Sequence, residues 1–240
     1  SRPMSPTLRI VLARLYAVGA ALAFVASLAL GLVLDRRTRG LTGFGFRPVP
    51  GLVPTRVFYG ALAERTFLST QYLRHASVPL YTPEPDIIHE LVGHVNPLAS
   101  EQFAALYEAA GRASLRATTD DALEFFSRVF WFSVEFGVVW EHDELHTYGA
   151  GLLSSYGELD AFRDAEVRPL DVVAMGTLDY DITRYQPVLF AARSFAEIVD
   201  VVCGFFETFD DETADRLIRG RSSRGSRSPC RFPRAPHAWR

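Results

Sequence analysis

PDIIHELVGH, residues 85–94, sets two histidines and a glutamate in an otherwise apolar stretch. Side chains four apart return to one face of an α-helix, the arrangement zinc peptidases use with a glutamate after the first histidine. His89 and His94 are five apart, which leaves them about 140° apart around an α-helical axis. They can share one metal only if the helix ends or distorts between them. Gly93 is where the break is expected, and Pro97 stands against a regular helix just beyond it. The spacing argues against a zinc peptidase and leaves a metal site open.

A second signal lies downstream. FFSRVFWFSVEFGVVW, residues 125–140, is apolar nearly all the way round and predicts a buried helix, starting near Thr119 or Asp120 and running to about residue 141. Glu135 falls inside it, where an unpaired carboxylate is costly. An ion pair, a protonated acid and a metal ligand all answer that cost. Beside His89 and His94, Glu135 would complete the two-histidine, one-carboxylate donor set of non-haem Fe(II) centres. The same three groups around zinc, in a hydrolase, form the competing reading.

The rest of the chain sets the frame. Its 240 residues are 48% hydrophobic, with eighteen Phe, enough for a full core in one domain and too apolar for a disordered chain. A net charge of −3 gives no reason to expect a nucleic-acid partner. Cys203 and Cys230 show no metal-binding spacing, and Cys230 lies in a polar tail, so a reducing, cytoplasmic setting is expected without a disulfide.

Residues 1–40 differ in kind. The run 17–34, AVGAALAFVASLALGLVL, carries no charge and has arginines on both sides. At the threshold of the roughly 20 residues a spanning helix needs, it reads as a membrane anchor, a signal-like core or a helix docked on the body. From residue 41 to about 218 the composition is globular. A Gly/Pro-rich loop at 42–54 leads into helical spacing over 56–75. Ser100 is expected to cap a helix with Phe103, Leu106 and Tyr107 on its apolar face, and residues 182–209 read as a strand or loop followed by a helix. Residues 219–240, rich in Arg, Ser and Pro, read as a disordered tail. The fold class is mainly α with short β elements, in a single catalytic domain.

Four stretches then carry a resemblance. GLTGFGFRPVPGLVP (40–54), QYLRHASVPLYTPEPDIIHELVGH (71–94), FWFSVEFG (130–137) and YGAGLLSSYGEL (148–159) resemble, in order and spacing, the signature blocks of the pterin-dependent aromatic amino acid hydroxylases, with phenylalanine 4-monooxygenases the nearest branch. The resemblance implies Fe(II) on His89, His94 and Glu135. It implies a tetrahydropterin against Gly51, Leu52, Val53, Thr55, Phe58 and Phe130, with Glu90 beside both pterin and oxygen. Arg74, supported by Asp86, would meet the amino acid's carboxylate. Tyr81, Thr82, Pro83, Trp131, Phe136, Gly151 and Ser154 would surround the substrate or back the ligands, Ser154 orienting His89. The implied activity is hydroxylation of an aromatic ring, phenylalanine first, with O2 and reduced pterin as partners; a catalytically silent metal-binding relative is the alternative.

Departures from the family pattern are also legible. Phe130 replaces a tyrosine common near the pterin, and Asn96 is one residue more than animal members have after the second histidine. Ala191 stands at a position linked to substrate choice, where a small apolar residue leans against catechol formation. The apolar run stands where members have a soluble helical stretch, and no C-terminal assembly helix is recognised, so a monomer is expected. His142 and His146 form another histidine pair, read as an exposed turn because no third ligand is fixed near them.

Overall fold

The structure, a computed structural model, describes residues 31–74 and 84–222. Most of the apolar run, the segment holding Tyr81, Thr82 and Pro83, and most of the Arg-rich tail with Cys230 lie outside the described residues. Residues 31–42 are helical. Phe46 N donates to Asp35 Oδ1 at 2.6 Å, and Thr42 Oγ1 donates to the carbonyl of Leu98 at 2.8 Å. Helix residues 35 and 42 thus contact residues of the expected catalytic unit. No helix among the described residues is long and apolar enough to cross a membrane.

Strand β1 (Gly45–Val49) and strand β2 (Thr66–Thr70) pair in parallel, with the helix Thr55–Leu62 as their crossover. The helical spacing expected through residue 75 thus stops early. Arg65, at φ +49°, turns the chain, and the run Thr66–Thr70, with two threonines and Phe67 suited to a strand, then finds β1 as a partner. The helix Glu101–Arg116 forms the centre of the domain, burying Leu106, Tyr107 and a row of alanines against Thr55–Leu62. Ser100 occupies its N-cap position, but its hydroxyl makes no capping bond. Thr119 does cap the next helix, Asp120–Phe130, accepting from Ala122 N.

That helix does not run to residue 141. It widens into a π-helical turn at Trp131–Glu135 and ends, and the chain re-enters as strand β3 (Val138–Glu141). An apolar run of this length fits a buried helix or strand equally; neighbours decide. Here β3 is flanked by β4 (Glu144–Thr147), antiparallel, and β6 (Val188–Ala192), parallel, with β5 (Glu166–Pro169) beyond, in the order β4-β3-β6-β5. His142 and His146 sit exposed on the β3–β4 hairpin, as expected.

A helical stretch from Phe195 to Thr208 packs against Glu101–Arg116, and Arg116 donates to the carbonyls of Phe206, Glu207 and Phe209 at its end. The last helix, Asp211–Ser222, carries residues 219–222, which the sequence had assigned to the disordered tail. Phe125, Phe126, Phe132, Phe190, Phe206 and Phe209 fill the core between these elements. Cys203 is a free, partly exposed thiol. The architecture is mainly helical with two small sheets.

Candidate active site and metal centre

Residues His89–Val95 form a π-helical turn. Its i→i+5 hydrogen bonding adds a residue to each turn, so side chains five apart come round to one face. This corrects the expected break at Gly93. The chain stays helical through Asn96–Leu98, with Pro97 tolerated at the start of that last turn. Gly93 serves closeness instead: a Cβ there would lie 2.6 Å from the Ala150 carbonyl oxygen. The helix Ala150–Ser154 rests on this contact and brings Ser154 to His89. A second π-helical turn, Trp131–Glu135, delivers Glu135 at the end of its helix rather than in the middle.

His89 Nε2 and His94 Nε2 stand 2.9 Å apart, with Glu135 oxygens 3.7 and 3.5 Å from them. Donors at right angles about 2.1 Å from one ion are about 3 Å apart, so the three fit a single first-row metal. Among the described residues no other group of histidines, cysteines and carboxylates gathers so. The Ser154 hydroxyl lies 2.8 Å from His89 Nδ1 and donates to the Ala150 carbonyl at 2.8 Å. With its proton thus committed, Ser154 accepts from His89 Nδ1–H, and the Nε2 lone pair is left for a metal. Tyr107 Oη lies 2.8 Å from His94 Nδ1 and holds the ring of the second ligand. The sequence read Tyr107 only as part of an apolar face; a tyrosine on a buried stripe needs a polar partner, and that was the missed signal.

Burial pushes Glu135 up to about 8, with the Glu90 charge adding to it. Burial likewise pulls His89 down to about 4 and His94 well below the usual histidine range. A cation among these donors supplies the charge that this buried cluster lacks. Glu90 is not a solvent-facing helix charge. It is buried, its Oε1 accepting from Thr70 N and Thr70 Oγ1 at 2.9 Å each, and burial raises it to about 7.

The donors lie in the wall of a cavity of about 440 Å³. Gly51, Leu52, Val53, Thr55, Phe58, Glu90 and Phe130 also line it, as do Arg74, Trp131, Phe136, Gly151 and Ser154. Every site residue expected from the sequence and described in the structure is therefore at this cavity, except Asp86, which is buried behind Arg74. Asp86 takes Arg74 Nε and Nη2 at 2.8 and 2.7 Å and the backbone N of both Arg74 and His89. Burial works against its charge, but the Arg74 bonds and those amides hold its carboxyl below the usual range. Gly151 makes room for a neighbour, since a Cβ there would strike the Phe136 ring at 2.6 Å. Ala191 does not reach the cavity; it is buried in β6 beside Phe136 and Val138.

Further wall residues, Tyr180 and Ile182 among them, came with no sequence signal. Tyr180 stacks on Trp131 at 4.3 Å between ring centres and 11° between planes, and Ile182 lies near it in the same irregular segment. Local pattern cannot show which residues of a loop turn inward.

Comparison with known proteins agrees with this geometry. Residues 34–214 match the family described as biopterin-dependent aromatic amino acid hydroxylase. A phenylalanine 3-hydroxylase of Streptomyces coeruleorubidus is 50% identical over 186 residues, 78% of this chain and 67% of that protein. The phenylalanine-4-hydroxylase of Rattus norvegicus is 44% identical over 169 residues, 70% of this chain and 37% of that protein. The chain thus spans little more than a third of the rat relative. Phenylalanine hydroxylase of Chromobacterium violaceum, solved with iron(III) and 7,8-dihydrobiopterin, superposes with a TM-score of 0.68 at 31% identity, covering 76% of this chain and 72% of that one. A match across three quarters of the chain, with the donor triad in its midst, means that the chain belongs to the biopterin-dependent aromatic amino acid hydroxylase family.

Proposed function

We propose that this chain is an Fe(II)- and tetrahydropterin-dependent monooxygenase that hydroxylates the aromatic ring of phenylalanine. The observation that carries it is the convergence of His89, His94 and Glu135 on one point in the wall of an aromatic-lined cavity. Bound Fe(II) and reduced pterin supply the redox chemistry that places one atom of O2 on a ring.

The chain's own residues do the rest. Phe58 offers the pterin a flat apolar partner, with Gly51, Leu52, Val53, Thr55 and Phe130 in the same cavity wall. Glu90, whose carboxyl burial raises above the usual carboxylate range, holds or yields a proton at the cavity wall. Arg74 takes the substrate carboxylate, and Asp86 keeps its guanidinium in place. Trp131 and Phe136, 4.4 Å apart between ring centres, receive the substrate ring and exclude water from it. Tyr81, Thr82 and Pro83 belong to the same substrate side in this reading. The catalytic unit covers residues 41–218 together with the helix before it.

Ring position stays with the experiment, because one relative is named a 3-hydroxylase and the other a 4-hydroxylase. The purified chain is incubated with Fe(II), tetrahydropterin, 18O2 and an equal mixture of phenylalanine, tyrosine and tryptophan, with His89→Ala alongside. Labelled 4-hydroxyphenylalanine, absent from His89→Ala, is the expected product. Labelled 3-hydroxyphenylalanine keeps the enzyme and moves the ring position. A folded, iron-loaded chain that labels none of the three overturns the proposal and leaves a silent relative.

A further inference from the structure

Trp131, in the cavity wall, is packed directly against two other rings, Phe136 at 4.4 Å and Tyr180 at 4.3 Å between ring centres. Phe136 is delivered by the same π-helical turn, but Tyr180 comes from residues 178–187, a segment with no ladder partner before β6. Something else must hold it flat. Within the segment, Asp181 Oδ1 accepts from Thr183 N at 2.8 Å and Thr183 Oγ1 at 2.6 Å, tightening a turn.

Gln186 closes that turn from inside. Its Nε2 donates to the carbonyls of Asp181 and Arg184, both at 3.1 Å, and its Oε1 accepts from Trp131 Nε1 at 3.2 Å. One buried amide therefore ties the segment to the ring on which Tyr180 lies. Its own backbone N donates in turn to Glu158 Oε1 at 2.7 Å. Glu158 is 2% exposed, on the neighbouring helix Tyr156–Ala161, and it does not line the cavity. Its Oε2 is buried with no hydrogen-bond partner. A carboxylate is a costly filler there, and burial pushes it up to about 7. The Gln186 bond is what an acceptor at this position provides.

We infer that Glu158 is a positioning residue for the substrate side of the cavity: through Gln186 it holds Tyr180 flat against Trp131 and so fixes where the Trp131 ring stands in the wall that meets the substrate ring. The inference rests on the proposed function for the word substrate, but the strap itself can be read without turnover.

The test uses the full iron-loaded chain, Glu158→Ala and Glu158→Gln. Readouts are KM for phenylalanine, KM for tetrahydropterin, kcat, iron content and Trp131 emission, the last isolated by subtracting Trp131→Phe. Losing one buried hydrogen bond predicts a KM for phenylalanine raised about tenfold in Glu158→Ala, with kcat, pterin KM and iron content near the parent's. Trp131 emission shifts with it. Glu158→Gln keeps an acceptor oxygen and restores both KM and emission. Parent-like KM and emission in Glu158→Ala overturn the inference. So does a parallel fall in kcat, iron content and melting temperature, or a Glu158→Gln that behaves as Glu158→Ala.

If Glu158→Ala does not fold, Gln186→Met decides, because it removes the side-chain bonds at similar volume. It must give the same split and the same emission shift, or the inference falls. A parent chain without turnover defeats the proposed function alone, and the emission comparison then decides the strap.

Discussion

Ser154 and Tyr107 illustrate how much of a metal site lies one residue behind its ligands. Each puts a hydroxyl 2.8 Å from a histidine Nδ1, which orients the ring. The Ser154 hydroxyl is also bonded to the Ala150 carbonyl, so its direction is fixed before any metal arrives. Ser154→Ala is expected to weaken Fe(II) affinity about 10–100-fold, the usual loss when such a partner goes. Metal titration of the folded variant, with its circular dichroism unchanged, checks this. An unaltered affinity would reduce Ser154 to a helix-end serine.

Among the elements, the two π-helical turns decide the geometry. One rotates His94 onto the face of His89, and the other places Glu135 at a helix end facing them. Both depend on close packing against Ala150–Ser154, where Gly93 lies under the Ala150 carbonyl. Gly93→Ala forces that backbone away, a strain of about 1–3 kcal/mol, and carries Ser154 off His89. Denaturant unfolding should show the loss together with weakened metal binding. Gly204→Ala is the matched control, since a Cβ there meets nothing within 4 Å and its position is helical. It should leave stability equal or slightly higher.

At the scale of the molecule, folding assembles buried ionisable groups that the unfolded chain keeps in water. A metal that binds only the folded state stabilises it by mass action, about 2.7 kcal/mol at 100-fold over Kd. For a chain of this size that is a rise of roughly 5–10 °C in Tm. Calorimetry with and without Fe(II) under anaerobic conditions measures it, and His89→Ala should show no rise. Glu158 gives a separate signature in pH. Its folded pKa of about 7 lies above the ordinary 4.5, mainly through burial, with the Gln186 amide opposing. The folded state therefore holds this proton more tightly than the unfolded one. Its contribution to stability falls as pH rises from about 4.5 to about 7 and is level above that, by about 3 kcal/mol at most. Glu158→Gln removes the titration, so its unfolding free energy should decline less than the parent's between pH 5 and pH 8. Parallel profiles would mean that Glu158 titrates normally in the fold.

The sequence by itself determined the family and the fold class, and it marked the candidate metal site. His89, His94 and Glu135 were legible because buried charge and imidazole in apolar runs demand a partner, and the four signature stretches assigned the cavity residues around them. Only the tertiary structure decided the local forms. A five-residue histidine spacing is compatible with a break or a wide turn, and packing against Ala150 selected the turn. Residues 138–141 became a strand, not helix, because β4 and β6 stand on either side of them. Tyr107, Tyr180, Gln186 and Glu158 joined the site through contacts between residues distant in sequence. No local pattern encodes such contacts, because their energy exists only once separate elements have been brought together.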